Sequence, residues 1–233
     1  MERYKKNLDL LKKNNVYSKD MEHDACGVGL VASTEGKKSR AVVDYGIQAL
    51  KAVWHRGAVD ADGKTGDGAG IHLEIPKDFF IEKIEITGHK FDNAEICVGM
   101  IFLPRNNFDA QETCRTIVES ELTKSNFSIY GWRQVPVNPK VLGEKADRTR
   151  PEIAQVLFQH NRKELSGKNL ERKLYETRRK IENEAIKKSL SGFYICSLSS
   201  KSIIYKGMFL AESISDFYID LQDERFVSRF AIF

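Results

Sequence analysis

The cysteines are the residues of this 233-residue chain with the widest chemical range: Cys26, Cys97, Cys114 and Cys196. They are widely spaced and form no C-x-x-C pair, so neither a redox dithiol nor a zinc ribbon is expected. His23 lies close to Cys26, but no second ligand pair follows at a useful spacing, and no metal site is expected. Cys26 opens the run Cys26-Gly27-Val28-Gly29-Leu30-Val31-Ala32, directly after a polar leader. A cysteine beside glycine at the head of a strand is placed to be an exposed nucleophile. It is equally a small residue of the kind that cores absorb, and only its environment decides between the two.

The second chemically suggestive stretch is Asp60-Ala61-Asp62-Gly63-Lys64-Thr65-Gly66-Asp67-Gly68-Ala69-Gly70. It fails three templates. A Walker A loop needs glycine where Ala58 stands, and a dinucleotide fingerprint needs glycine at Ile71. An EF-hand loop needs Asp or Asn at Lys64 and Glu at Ile71. The remaining reading is a backbone device, whose glycines let the chain bend tightly or approach another group closely. Between the two stretches lies Trp54-His55-Arg56-Gly57. Arg56 there has a structural reading as favourable charge at a helix C-terminus.

The elements that must hold these residues follow from apolar periodicity. A buried strand is expected at 28–32. A helix then places Val43, Ile47, Leu50 and Trp54 on one face and stops at His55-Arg56-Gly57. Strands are expected at 71–75, closed by Pro76, and at 96–103, 129–137 and 153–159, with Trp132 as core or platform. Helices are expected at 77–83, 110–122 and 168–190, the last with Leu170, Leu174, Ile181 and Ala185 on one face and a solvated basic face. Strands at 193–198 and 202–205 are expected to pair with each other across Ser199-Ser200-Lys201, and 213–223 turns helical and acidic. Strands and helices mix without regular βαβ alternation, which favours α+β layers. Residues 1–25 are rich in lysine, asparagine and aspartate, with Leu8, Leu10 and Leu11 able to pack a short helical turn. They read as a frayed terminus or as a propeptide whose removal leaves Cys26 first.

Composition bounds the partners. Hydrophobic residues make up 41% and charged residues 30%, as in a soluble globular protein with a sizeable core. The net charge of +4 is scattered, so no nucleic-acid footprint is expected. No apolar run approaches the roughly 20 residues of a membrane span. The absence of a secretory signal and the isolated cysteines point to free thiols in a reducing, cytoplasmic setting.

Taken in order, Cys26-Gly27-Val28-Gly29, Trp54-His55-Arg56-Gly57 and Thr65-Gly66-Asp67-Gly68-Ala69-Gly70 resemble the start of the glutamate synthase large-subunit family. So do Gly131-Trp132-Arg133-Gln134-Val135-Pro136-Val137, Pro151-Glu152-Ile153-Ala154-Gln155-Val156, Tyr205-Lys206-Gly207-Met208 and Phe217-Tyr218-Ile219-Asp220-Leu221-Gln222-Asp223. The shorter Cys-Gly and His-Arg-Gly pair is also similar to other class II glutamine amidotransferases. The resemblance implies an N-terminal nucleophile hydrolase fold, a four-layer αββα sandwich, incomplete here. Residues 1–25 would be a propeptide-like leader, and 26–233 a partial amidotransferase domain. Cys26 would be the catalytic nucleophile that attacks the side-chain amide of glutamine, with its own freed α-amino group as base. Arg56 would help order the substrate site, and the Gly66–Gly70 loop would be one of its walls. Ammonia would pass to a synthase domain and combine with 2-oxoglutarate. FMN and an iron–sulfur cluster are implied for the full-length family protein and none in this chain.

The resemblance also implies motifs that this sequence does not contain: a His-x-Arg stretch followed by Ser-Thr-Asn-Thr, then an Asn-Gly pair and an aspartate. In the family these clamp the substrate and supply the oxyanion hole. Ser228-Arg229-Phe230 lacks the following Ser-Thr-Asn-Thr, and Arg229 is assigned no catalytic role. Loss of one oxyanion donor alone costs on the order of 10²–10³ in rate. The chain therefore reads as a truncated glutaminase part of glutamate synthase. The alternatives are an inactive domain that acts as a binding module and another class II glutamine amidotransferase.

Overall fold

The computed structural model describes residues 2–14, 26–54, 57–91, 95–162 and 164–233. Its centre is a pair of strands, β3 (Ile96–Leu103) and β5 (Glu152–His160), which are buried on both faces. Such strands must be covered twice. They form the middle of an antiparallel sheet with the order β4-β5-β3-β6, where β4 is Phe127–Gln134 and β6 is Tyr194–Ser199. Alternation divides their side chains between two cores. Cys97, Ile101, Leu103, Ala154, Val156 and Phe158 meet helices α4 (Phe108–Lys124) and α6 (Gly167–Lys187). Val98, Met100, Ile153 and Leu157 face the other way, into a core shared with a second sheet.

That second sheet has the order β1-β8-β2-β7, all antiparallel, from β1 (Leu30–Ala32), β2 (Ala69–Glu74), β7 (Ser202–Gly207) and β8 (Phe230–Ile232). Ile71, Leu73, Ile203, Tyr205 and Ala231 are buried. Helix α2 (Arg40–Ala52) packs here, with Gly46 so close to Ala231 that an added Cβ would lie 2.4 Å from the alanine methyl. Ser39 caps α2, its hydroxyl accepting from the Val42 N–H at 3.4 Å. On the alternate positions of β2 and β7, Gly70, His72, Ile204 and Lys206 line an open cleft. The remaining helices are α1 (Glu2–Lys13), α3 (Lys77–Ile86), α5 (Glu144–Thr149) and α7 (Ile214–Phe217). Two antiparallel sheets with helices against each constitute the expected α+β arrangement.

Local expectations need correction in five places. The run 28–32 is not a buried strand: only Leu30–Ala32 forms a strand, at the edge of its sheet, and Val28 and Leu30 are exposed. β6 and β7 do not pair: β6 lies against β3 and β7 against β2. Ser199-Ser200-Lys201 is a corner between sheets. The Ser199 hydroxyl donates to Glu171 and accepts from the N–H groups of Lys201 and Ser202, which fixes the corner without a hairpin ladder. A short polar triplet suits either connection, and six consecutive partners on β2 outweigh the local pairing. Trp54 is not on the buried face of α2; the helix ends at Ala52 and Trp54 is 61% exposed. The stretch 213–223 is no single helix. It breaks into 3₁₀ turns at Ala211–Ser213 and Ile219–Gln222 around α7, because Asp220 turns inward to meet Arg133. Finally, β4 begins earlier than expected and is bent at Gly131 (φ +156°), where the register with β5 shifts. Trp132 on β4 is a platform: its indole N–H donates to Glu119 at 2.7 Å and Arg115 lies over its ring.

Candidate active site

Cys26 is exposed, whereas Cys97, Cys114 and Cys196 are buried; the core reading of Cys26 is overturned. Burial raises the thiol pKa of all three others, that of Cys196 to about 11, so they are held as inert thiols. The lead-in to Cys26 is held by a backbone pair. Gly29 N–H donates to Phe233 O at 2.8 Å, and Phe233 N–H to Gly29 O at 3.0 Å. A Cβ added at Gly29 would come within 2.2 Å of the Phe233 ring, which would then have to turn aside.

The sheet register places this lead-in opposite the glycine-rich loop. β8 lies between β1 and β2, with Ile232 opposite both Leu30 and His72. Cys26 and Gly68 stand four residues ahead of Leu30 and His72 respectively. They therefore flank the line along which β8 points, and both line an open cleft of about 1190 Å³.

The loop wall is a short hairpin. Val59 bridges to Gly66, Asp60 N–H donates to Thr65 O at 2.9 Å, and Asp67 N–H donates to Ala58 O. Its glycines work as the sequence suggests. A Cβ on Gly66 would meet the Phe209 carbonyl oxygen at 2.7 Å, one on Gly70 would meet the Lys206 Cβ at 2.9 Å, and Gly68 has φ +135°. The Asp62 carboxylate accepts from the Thr65 hydroxyl, the Thr65 N–H and the Lys64 N–H, at 2.6, 2.7 and 2.9 Å. Those bonds, the hydroxyl's first, hold its pKa down to about 2.

Ile204, Lys206, Met208, Phe209 and the exposed Trp54 also line the cleft. Lys206 donates to the Tyr194 hydroxyl at 2.8 Å and lies over its ring. Half-buried His72 meets Phe230 edge-on, and burial lowers its pKa. Arg56, His55, His23 and the Ala25 end of the leader lie outside the described residues; Gly57, which follows Arg56, lines the cleft. Arg229 pairs with Glu74, an arrangement that gives it a structural partner. Sequence reasoning missed Met208, Phe209 and His72 as cleft residues. Tyr205-Lys206-Gly207-Met208 carried a signal through its resemblance, but His72 carried none beyond a lone histidine in a strand. Among the described residues no group of three His, Cys, Asp or Glu is placed to hold a metal. Nor is any described helix long and apolar enough to cross a membrane.

A solitary exposed thiol at the head of a strand, facing a glycine-rich wall across a cleft, suits nucleophilic attack on a small polar substrate. The profile of the Glutamine amidotransferases class-II family matches residues 26–233, and the chain belongs to that family, whose fold is of the N-terminal nucleophile hydrolase type. It is 54% identical over 230 residues to the NADPH glutamate synthase large chain of Azospirillum brasilense, covering 99% of this chain and 15% of the relative. It is 41% identical over 214 residues to ferredoxin-dependent glutamate synthase 1 of Arabidopsis thaliana, covering 91% and 13%. The NADPH glutamate synthase large chain of Bacillus subtilis is 36% identical over 221 residues, covering 95% and 14%. The domain is thus homologous to part of the glutamate synthase large chains, and it spans only about 15% or less of the length of these curated relatives.

Proposed function

We propose that this chain is the glutamine-hydrolysing part of a glutamate synthase, with Cys26 as its nucleophile. The observation that supports this most is the position of Cys26: it is the one exposed thiol of four, it lines the cleft, and the family match begins at it. In this reading the leader, residues 1–25, is removed and Cys26 gains a free α-amino group. That amine, with an ordinary pKa near ~7.7–8.0, and a thiol near ~8.5 are matched for proton transfer around neutral pH. The amine takes the thiol proton as sulfur attacks the amide carbon of glutamine. It returns the proton to the departing ammonia, leaving a thioester that water hydrolyses to glutamate. Arg56 helps to order the substrate. Ammonia then reaches a synthase domain outside this chain, where it combines with 2-oxoglutarate; FMN and an iron–sulfur cluster belong to that domain. Four free thiols suit a reducing, cytoplasmic setting.

A specific feature favours a second reading. Val28 and Leu30, beside Cys26, are 77% and 64% exposed, and Ile232 across from Leu30 is also exposed. A domain that served only to bind another protein surface would present such a face. Ammonia release from glutamine separates the two. The catalytic reading expects release by the protein with residues 1–25 removed, a thioester of mass equal to one glutamyl group on Cys26, and loss of both in Cys26→Ala. A leaderless protein that forms no adduct and releases no ammonia would leave the binding reading.

A further inference from the structure

The hairpin that walls the cleft is fastened at its far end, and nothing in the catalytic reading accounts for how tightly. Thr65 is 2% exposed although it lies in a glycine- and aspartate-rich loop. Its hydroxyl donates to Asp62 Oδ2 at 2.6 Å and accepts from the Ala146 N–H of α5 at 3.4 Å. Gly143, just before α5, is pressed onto the same two side chains. A Cβ there would lie 2.1 Å from Asp62 Oδ2 and 2.2 Å from Thr65 Oγ1. Lys145 adds an exposed ion pair to Asp60 at 2.7 Å. α5 is itself tied down, because Asp147 accepts from both Arg105 and Arg150. At the near end the hairpin meets Phe209 through Gly66, and its residues Gly57, Asp67 and Gly68 line the cleft with Cys26.

We propose that Asp62 and Thr65, locked beneath Gly143, are positioning residues that hold the Gly57–Gly68 wall and thereby set access to the Cys26 thiol. This rests on Cys26 being the reactive group of the cleft, but not on glutamine being its substrate. The two ends of the hairpin are coupled through its cross-strand bonds, Asp60 N–H to Thr65 O and Asp67 N–H to Ala58 O. A wall fixed at the tip keeps its base in register. A wall fixed only at Phe209 swings, and the cleft opens to larger reagents.

The test uses the full chain and two thiol reagents, iodoacetamide and a bulky maleimide, with the labelled residue identified by mass. Thr65→Val removes the hydroxyl at nearly constant volume, and Thr65→Ser restores it. Expected is a rise of fivefold or more in the ratio of maleimide to iodoacetamide rates at Cys26 in Thr65→Val. Asp62→Asn should rise in the same direction, while Thr65→Ser stays within twofold of the parent. Lys145→Ala, which removes only the exposed pair, should also stay within twofold. Hydrogen exchange at the amides of Asp67 and Gly68 should quicken in the first two variants alone. Should Thr65→Val prove unable to fold, Asp62→Asn decides by the same ratio. An unchanged ratio with a lowered melting temperature would make the contact merely stabilising and overturn the proposal, as would equal effects of Thr65→Val and Thr65→Ser. Failure of glutamine hydrolysis, measured separately, would overturn the catalytic reading and leave this result standing.

Discussion

Removing the Asp220 carboxylate should be among the most damaging single changes in the molecule, and its cost can be worked out from the contacts. Asp220 is 4% exposed and takes two parallel bonds from the Arg133 guanidinium, at 2.7 and 2.5 Å. Its Oδ2 also accepts from the Tyr205 hydroxyl at 3.1 Å. Arg133 reaches Gln155 as well, and Gln155 donates to Tyr205, so the four groups close on one another. Asp220→Ala leaves a guanidinium facing no carboxylate and a buried hydroxyl without its acceptor. Breaking a buried ion pair from one side costs about 3–5 kcal/mol. The Arg133 side chain keeps 16% of its exposure, so water relieves part of its charge, which argues for the lower end. Adding roughly 1 kcal/mol for the orphaned hydroxyl gives a loss of about 4 kcal/mol. In a chain of this length that corresponds to a drop of about 8–16 °C in melting temperature. Urea unfolding monitored by tryptophan fluorescence and circular dichroism would measure it. The paired replacement Arg133→Met with Asp220→Leu removes both charges and should recover much of the loss, since apolar groups of similar size can stand in for a buried pair. A loss below about 1 kcal/mol for Asp220→Ala would refute the reasoning, because the carboxylate would then not be compensating a buried charge.

Further outcomes follow from the same geometry. Gly66→Ala should destabilise by about 1–3 kcal/mol, because its Cβ would meet the backbone of Phe209 rather than a side chain that can rotate away; urea titration would show it, and an unchanged midpoint would count against the close approach. In the native protein one thiol should react rapidly with a chromogenic disulfide reagent and four after unfolding, with the native reaction abolished by Cys26→Ser; two or more fast native thiols would contradict the burial of the others. Glu74 gives a pH dependence. Burial works to raise its pKa, but its bonds to Arg229 and the nearby Lys38 prevail and hold it below the ordinary 4.5. A carboxyl lowered on folding contributes stability above its unfolded pKa, and that contribution disappears as pH falls through the folded one. The melting-temperature advantage of the parent over Glu74→Gln should therefore be full above pH 4.5 and shrink below it. An advantage constant down to pH 3 would refute the pairing.

Much of the secondary structure and some of the cleft residues were legible in the sequence. The apolar run at 96–103 identifies a central strand, because residues buried on both faces leave no polar alternation. Leu170, Leu174, Ile181 and Ala185 correctly mark the buried face of α6, because helical spacing is a local property. The glycine loop was legible as a backbone device, and Cys26 as one of two things. Tertiary structure decided which. Exposure depends on what lies opposite, and only the register Leu30–Ile232–His72 brings the head of β1 and the glycine loop to one cleft. It also parted β6 from β7, where local turn chemistry favoured a hairpin but longer partners lay 92 to 138 residues away. Trp54 followed the helical period yet lies beyond the end of α2, because periodicity does not reveal where a helix stops. Asp220 stands in an acidic stretch that carries no local sign of its burial. Its burial depends on Arg133, 87 residues earlier in the chain, and pairings over that distance exist only once the sheets have closed.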